Sequence, residues 1–192
     1  MAKLYFNYSS MNAGKSTMLL QANHNYIERG MQPEIYTSNL DKRFGESEIV
    51  SRIGLKSKSN LFNIKTDIYK EILNKNDKKE IDCVLIDEAQ FLTKNQVKQL
   101  GDIVDLLDIP VLTFGIRTDF QGNLFEGSKY LLAWADNLKE IKTVCHCGRK
   151  ATMVLRLNEY GQITEDGNQI DIGGEEKYVS VCRKHFKEKN IG

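Results

Sequence analysis

The segment Ser9-Ser10-Met11-Asn12-Ala13-Gly14-Lys15-Ser16-Thr17 has the composition of a phosphate-binding loop. It lies between an apolar run that predicts a strand and a stretch that predicts a helix. In such a loop, backbone N–H groups surround an anion, and the positive end of the new helix points at the same place. We expect Lys15 to reach the β- and γ-phosphates of a nucleotide, and the Ser16 hydroxyl to ligate the Mg²⁺ that bridges them.

One position of this loop departs from the general pattern G-x-x-x-x-G-K-[ST], because Ser9 stands where a glycine is usual. The alternative interpretation is an ordinary strand-to-helix turn that ends in a lysine. We favour the phosphate loop because Gly14, Lys15 and Ser16 occur together at the required junction.

Two adjacent carboxylates, Asp87 and Glu88, follow the apolar run 81–86, which is typical of a buried parallel strand. An acidic residue at the end of such a strand commonly holds Mg²⁺ through water, and we assign this role to Asp87. Glu88 should point the other way, since neighbouring side chains on an extended segment face opposite sides. It could accept a proton from a substrate hydroxyl. The alternative role for the pair is to cap the N-terminus of a following helix.

Asp41 and Arg43 form a second candidate site just beyond the strand predicted at Pro33–Thr37. They lie in the segment 38–60, which lacks periodicity and is long enough to suggest a function. Parallel sheets bind their ligands at the carboxyl ends of strands. A solvated surface turn with a local ion pair explains these two residues equally well.

The C-terminal part of the chain contains two pairs of possible metal ligands, namely Cys145 with Cys147, and Cys182 with His185. They stand at the ends of two predicted strands, 151–157 and 177–181. Four soft or borderline ligands of this kind suit a structural Zn²⁺, and free thiols are the alternative. We interpret His146 as a bystander. Zinc would anchor both ends of the polar loop 158–176, whose backbone could then contact the edge of a base.

Strands and helices alternate along the first part of the chain. The first predicted helix runs from Met18 to a stop at Gly30, and the others are 67–75, 93–108 and 128–138. The predicted strands are 4–8, 33–37, 81–88, 110–115 and 139–144. This alternation predicts an α/β fold with a mostly parallel sheet, helices on both faces, and ligands at the carboxyl ends of the strands. We expect an ATP-binding domain at 1–143 and a zinc-binding domain at 144–192.

The composition sets limits on the class of protein. The 192 residues are 41% hydrophobic and 28% charged, with a net charge of +1 from interspersed signs. The chain can therefore bury one sizeable core and a small appendage, and no charge pattern favours nucleic acid or an anionic membrane. No apolar run reaches the roughly 18 residues of a membrane span, so we expect a cytoplasmic enzyme. Cys83, alone in an apolar strand, is interpreted as a small buried hydrophobe.

Several motifs taken together resemble one enzyme family. They are Met11–Thr17, Asp87-Glu88-Ala89-Gln90-Phe91, Gly115–Phe120, and Ile172-Gly173-Gly174 leading to Tyr178–Cys182. With them the chain resembles the thymidine kinases of the zinc-containing tetrameric class, particularly the bacterial ones, from Leu4 to about Lys187. The resemblance implies a RecA-like P-loop domain, a zinc ribbon with a lasso loop over the nucleoside, a homotetramer, and feedback inhibition by dTTP.

The resemblance also assigns roles to individual residues. It implies that Glu88 is the catalytic base and that Asp41, Asp87 and Ser16 are associated with Mg²⁺. It places ATP on Ser9, Ser10, Met11, Asn12, Ala13, Gly14, Lys15, Ser16, Asp87, Glu88, Ala89 and Gln90, with a phosphate contact from Arg43. It places thymidine on Met11, Phe125, Ile170, Asp171, Ile172, Gly173 and Tyr178, and zinc on Cys145, Cys147, Cys182 and His185.

The function expected from these features is transfer of the γ-phosphate of ATP to the 5′-hydroxyl of thymidine, a salvage step for DNA synthesis. One rival is a nucleic-acid motor, because Asp87-Glu88-Ala89-Gln90 also looks like a helicase acidic box. The chain has room for only one such ATPase domain and lacks a basic face, which argues against the motor. A second rival is a zinc-ribbon binding module with a vestigial nucleotide fold. The intact set of Lys15, Ser16, Asp87 and Glu88 argues against it.

Overall fold

The computed structural model describes residues 1–40, 47–169 and 177–192. The candidates Asp41, Arg43, Ile170, Asp171, Ile172 and Gly173 lie outside these residues. The helices are α1 (Lys15–Glu28), α2 (Ile68–Asn76), α3 (Lys94–Leu107), α4 (Glu126–Trp134) and α5 (Arg183–Glu188), with a short 3₁₀ helix at Ala89–Phe91.

The strands of the first part are β1 (Leu4–Ser9), β2 (Pro33–Ser38), β3 (Glu48–Val50), β4 (Lys56–Lys58), β5 (Asn60–Phe62), β6 (Cys83–Ile86), β7 (Val111–Ile116) and β8 (Asn137–Glu140). Six of them form one sheet in the order β5-β2-β6-β7-β1-β8, and every described pairing in this sheet is parallel. The predicted α/β architecture is confirmed. The phosphate loop after β1 and the carboxylates after β6 consequently lie at the same edge of the sheet, separated by β7.

Helices cover both faces of this sheet because its central strands are apolar on both sides. Ile86 belongs to the buried cluster under α2, α3 and α4, while its neighbour Leu85 belongs to the cluster under α1. Helix α3 begins with a capping box, in which the Thr93 hydroxyl accepts a hydrogen bond from the backbone N–H of Gln96 (3.2 Å). The Gln96 side chain accepts a hydrogen bond from the N–H of Thr93 in return.

Two local predictions are wrong. The segment 38–60 is not one long loop, since its described residues form the β3–β4 hairpin and begin the edge strand β5. These strands have three residues each, too short to show a period. Ile49 anchors β3 and Phe62 anchors β5, whereas β4 is held by its pairing with β3. Helix α4 starts at Glu126 and ends at Trp134, and the following strand is Asn137–Glu140, earlier than predicted. Asp136 accepts a hydrogen bond from the N–H of Leu4 (2.7 Å), which holds this segment beside β1.

The C-terminal part is built from short antiparallel strands. They are β9 (Thr143–Val144), β10 (Lys150–Ala151), β11 (Met153–Leu157), β12 (Ile163–Thr164) and β13 (Tyr178–Val181). Its core is small and consists of Cys145, Ala151, Leu155, Val181 and Cys182. So few apolar side chains give little stability, which is the situation in which a structural metal is used. None of the described helices has the length and apolarity that crossing a lipid bilayer requires.

Candidate active site

The phosphate loop turns sharply between β1 and α1. Gly14, at the N-cap of α1, has φ +85°, a left-handed conformation that glycine adopts without strain. The buried Lys15 ammonium donates hydrogen bonds to the Ser9 hydroxyl (3.3 Å) and to the carbonyl oxygen of Ser10 (3.2 Å). Ser9 is the last residue of β1, where extended backbone accommodates a side chain. Serine at the usual glycine position is therefore compatible with the loop.

The Ser16 hydroxyl and the Asp87 carboxylate meet across the end of β7. Ser16 donates a 2.9 Å hydrogen bond to Asp87 Oδ2, and the N–H of Glu88 donates to Asp87 Oδ1 at 3.0 Å. Asp87 is only 3% exposed, and this burial, with a smaller effect of the Glu88 charge, raises its pKa to about 7. A buried carboxylate next to a hydroxyl presents the hard oxygen donors that Mg²⁺ prefers, so these residues fit that ion.

Glu88 occupies a strained backbone position directly after Asp87. Its φ of +51° and ψ of +38° are left-handed, a conformation that costs a residue with a side chain about 1–3 kcal/mol. The direction of its side chain is therefore set by this turn and not, as predicted, by alternation along an extended strand. Glu88 precedes the 3₁₀ helix but makes no side-chain capping hydrogen bond, which leaves the capping alternative without support. Its carboxylate accepts a hydrogen bond from the side chain of Gln90.

Four side chains of the C-terminal part converge on one point. The ligand atoms of Cys145, Cys147, Cys182 and His185 all lie within 4.8 Å of one another. Three sulfur atoms and one imidazole nitrogen at this spacing fit a tetrahedral Zn²⁺. His146 stacks on His185 with ring centroids 4.2 Å apart and does not belong to this four-residue group.

The candidate thymidine contacts that the structure describes surround the same edge of the sheet. Phe125 is 5% exposed and packs edge-on against Phe91, with ring centroids 6.0 Å apart. The Ser180 hydroxyl donates a 2.7 Å hydrogen bond to the carbonyl oxygen of Met11 in the phosphate loop. Tyr178 and Ser180 are two residues apart on β13 and therefore share a face, so the face that carries Tyr178 is turned toward the loop.

Two further contacts join the phosphate loop to the C-terminal part. The Ser10 hydroxyl donates to the carbonyl oxygen of Ala151 (3.4 Å). Arg117 donates its backbone N–H to the carbonyl oxygen of Ser9 (3.1 Å) and its guanidinium to that of Thr152 (3.3 Å). Candidate phosphate and nucleoside groups are thus held in one arrangement.

A family model described as thymidine kinase matches residues 2–186. The chain belongs to the thymidine kinase family. It is 61% identical over 189 residues to the thymidine kinase of Mannheimia succiniciproducens, an alignment that covers 98% of this chain and 97% of the relative. It is 60% identical over 188 residues to that of Rhodopirellula baltica, covering 98% and 89%, and 58% identical over 188 residues to that of Salmonella typhimurium, covering 98% and 92%. The resemblance inferred from the motifs is confirmed.

In this member of the thymidine kinase family, Arg52 lies beside the phosphate loop. Its role was not predicted from the sequence. It lies in the turn between β3 and β4, and its guanidinium donates a 2.6 Å hydrogen bond to the side chain of Asn12 in the phosphate loop. The turn is closed by Ser51, which accepts from Leu55, and by Gly54 with φ +87°. The Ser-x-x-Gly spacing in the sequence was a turn signal that could have located it.

Asp119 belongs to the motif Gly115–Phe120 named above, but it was given no role in the site. This buried carboxylate accepts hydrogen bonds from the N–H groups of Gln121 (2.9 Å) and Asn123 (2.8 Å), and from the Gln169 side chain (2.7 Å). It therefore shapes the loop that leads to Phe125 and ties it to the segment 158–169. An Asp followed by Gln and Gly is a local turn signal, but nothing in the sequence indicates the long-range partner Gln169.

Proposed function

We propose that this chain is an ATP-dependent thymidine kinase, which converts thymidine and ATP into dTMP and ADP. The observation that carries the proposal is the meeting of Lys15, Ser16, Asp87 and Glu88 at one sheet edge in a member of this family. A phosphate loop, an oxygen pair suited to Mg²⁺ and a carboxylate beside them are the parts that phosphoryl transfer needs. A binding module with a vestigial nucleotide fold would have no use for all of them.

The proposed roles follow from the chemistry of the groups. The loop amides of 9–16 hold the polyphosphate of ATP, and Lys15 offsets negative charge on the transferring group. Ser16 and Asp87 would hold Mg²⁺, which supplies charge neutralisation between the phosphates when bound. Glu88 accepts the proton of the thymidine 5′-hydroxyl while the oxygen bonds to the γ-phosphorus and the bond to ADP breaks.

Further residues complete the proposal. Met11, Phe125, Tyr178 and the segment 170–173 would contact thymidine. Asp41 and Arg43 would act at the Mg²⁺ and phosphate groups, and Ala89 and Gln90 would line the ATP site. Cys145, Cys147, Cys182 and His185 would hold a structural Zn²⁺ that anchors the loop between β12 and β13.

The division into units, the assembly, the location and the inhibition are proposed from membership of the family. We infer an ATP-binding unit at 1–143, a zinc-binding unit at 144–192, a homotetramer, a cytoplasmic location, and inhibition by dTTP. Sedimentation of the purified chain tests the homotetramer, and inhibition kinetics with dTTP test the inhibition.

The central experiment supplies labelled ATP with each nucleoside in turn. We expect label transfer to thymidine, and a loss of roughly 10²–10⁴ in kcat for Glu88→Gln with thymidine affinity kept within a few-fold. The matched control is Glu28→Gln, which alters an exposed carboxylate at the end of α1 and should leave kcat unchanged. RNA-stimulated ATP hydrolysis without nucleoside phosphorylation would instead establish the nucleic-acid motor.

A further inference from the structure

The Gln90 side chain lies between the Glu88 carboxylate and the backbone of β7. Its Oε1 accepts a 3.1 Å hydrogen bond from the N–H of Ile116, and its Nε2 donates to Glu88 Oε2. The residue is 2% exposed. Both polar ends of a buried amide are thus engaged by protein groups.

The two partners fix the orientation of this amide. The N–H of Ile116 can only donate, so it must face the oxygen of the amide. The NH₂ group then faces Glu88, where an ionised carboxylate can only accept. A reversed amide would lose the first hydrogen bond and place two oxygens against each other. The arrangement therefore holds one carboxylate oxygen of Glu88 in a defined place.

The backbone around Gln90 is packed too closely to shift. A Cβ on Gly115 would lie 3.0 Å from both the N and the Oε1 of Gln90. A Cβ on Gly127 would lie 2.3 Å from the carbonyl oxygen of Ala89. The contact at Gly127 excludes any side chain, and the contact at Gly115 would allow one only if its neighbours shifted. Helix α4 and strand β7 therefore pack tightly against the 3₁₀ turn.

From this geometry we propose that Gln90 is a positioning residue, which holds the Glu88 carboxylate in its left-handed turn so that it meets the substrate hydroxyl. The proposal rests on the function proposed above, in which Glu88 is the base. It gives the Gln90 side chain a role through Glu88, while the backbone of Gln90 lines the proposed ATP site. Misplacement of a reacting group by about 1 Å can cost two orders of magnitude in rate, so this support matters for turnover.

The test is a double-mutant cycle of Gln90→Met and Glu88→Gln, measured as thymidine phosphorylation with labelled ATP. Gln90→Met keeps the length of the side chain but removes both hydrogen bonds. We expect kcat to fall about 10–100-fold, with KM for ATP and for thymidine kept within about three-fold. In the Glu88→Gln background the same substitution should cause no further fall, because a residue that acts only through Glu88 has nothing left to position.

Gln90→Glu is the second variant, in case Gln90→Met folds poorly. It retains an acceptor for Ile116 but places a carboxylate against Glu88, and kcat should again fall while both KM values hold. The matched control is Gln96→Met, at a glutamine of 1% exposure that caps α3 and hydrogen-bonds to Thr93 and Asn63. This control should lower Tm and leave kcat unchanged.

Three results separate the possible failures. If the unsubstituted chain does not phosphorylate thymidine, the proposed function is wrong. If it does, and the losses from Gln90→Met and Glu88→Gln multiply, only the assignment of Gln90 is overturned. A rise in KM for ATP at constant kcat overturns it as well, and shows that Gln90 contacts the nucleotide.

Discussion

The hydroxyl of Ser180 donates a hydrogen bond to the carbonyl oxygen of Met11, which lies 169 residues earlier in the chain. The first residue follows the loop 158–176, and the second belongs to the phosphate loop. Their 2.7 Å contact couples the strand that carries Tyr178 to the loop proposed to bind ATP. A shift of one of these elements would therefore break this hydrogen bond unless the other element followed.

Removing the Ser180 hydroxyl should weaken the binding of thymidine. For Ser180→Ala we expect KM for thymidine to rise about five-fold, since one hydrogen bond contributes about 1 kcal/mol. The change in KM for ATP should be smaller. Steady-state kinetics with each substrate varied will measure both. Ser57→Ala, on the β3–β4 hairpin, is the control, and an equal effect of that variant would contradict the coupling.

Zinc removal should affect the two substrates differently. The ligand group lies in the small core of the C-terminal part, whereas Lys15 and Asp87 are held by the large sheet. We expect a chelator to abolish thymidine binding before binding of an ATP analogue, and restored zinc to reverse the loss. Titration calorimetry with each ligand, beside a zinc assay, provides the measurement. Parallel loss of both affinities would mean that the zinc site supports the whole fold.

Arg52 should contribute to nucleotide binding through Asn12. Arg52→Ala removes a 2.6 Å contact to the phosphate loop and a positive charge beside it. We expect KM for ATP to rise several-fold, with a smaller rise for Arg52→Lys, which keeps the charge but not the planar group. Lys56→Ala changes an exposed cation on the same hairpin and should leave KM for ATP unchanged. If the two alanine variants raise KM for ATP equally, Arg52 acts only through its positive charge and not through its contact with Asn12.

The ionised carboxylate of Asp87 should lower the free energy of unfolding as the pH rises. Its folded pKa of about 7 lies above the unfolded value of 3.8, so the folded state favours the protonated form. The free energy of unfolding is therefore lowered progressively between about pH 4 and pH 7. Without added Mg²⁺ or nucleotide, Asp87→Asn should be inactive yet more stable at pH 8, by about 1–3 kcal/mol, with little gain at pH 4. Thermal unfolding of both proteins across this range tests the sign. If the stability gained by Asp87→Asn does not grow with pH, the buried charge of Asp87 is compensated by neighbouring groups.

Cys83 should be chemically inert in the folded chain. It is fully buried, and this burial raises the pKa of its thiol to about 12. A thiol reagent should leave it unmodified until the chain unfolds, whereas Cys145, Cys147 and Cys182 should become reactive when zinc is removed. Mass spectrometry after labelling will identify the modified residues. Labelling of Cys83 under native conditions would indicate that β6 opens locally.

The sequence predicted those parts of the site that depend on local chemistry. A few adjacent residues are enough to indicate the phosphate loop (Gly14-Lys15-Ser16), the carboxylate pair (Asp87-Glu88) and the metal ligands (the cysteine pairs). The parallel sheet then brings the loop and the carboxylate pair together. Interactions between distant loops were not predictable in this way. Arg52 with Asn12, and Gln169 with Asp119, are pairs that no local pattern indicates.

Backbone conformation and short strands account for the other differences. Glu88 adopts a left-handed turn directly before a 3₁₀ segment that packs closely against Gly115 and Gly127, and such tertiary packing has no local sequence signal. Strands β3, β4 and β5 are held by one buried apolar residue or by pairing, and three residues cannot display a period of two. Helix α4 ends earlier than predicted because the Asp136 carboxylate accepts a hydrogen bond from the N–H of Leu4. The spacing of apolar residues gives no sign of this contact.

Among the described residues, three hydrogen bonds that join Ser10, Arg117 and Met11 to the C-terminal part end on carbonyl oxygens of the main chain, at Ala151, Thr152 and Met11. Every polypeptide supplies such oxygens, whatever its side chains. These three bonds need only the donors Ser10, Arg117 and Ser180, whereas the bond from Gln169 to Asp119 needs both side chains. Chimeras that exchange the segment 144–192 among relatives should therefore assemble a working junction despite extensive divergence elsewhere in that segment.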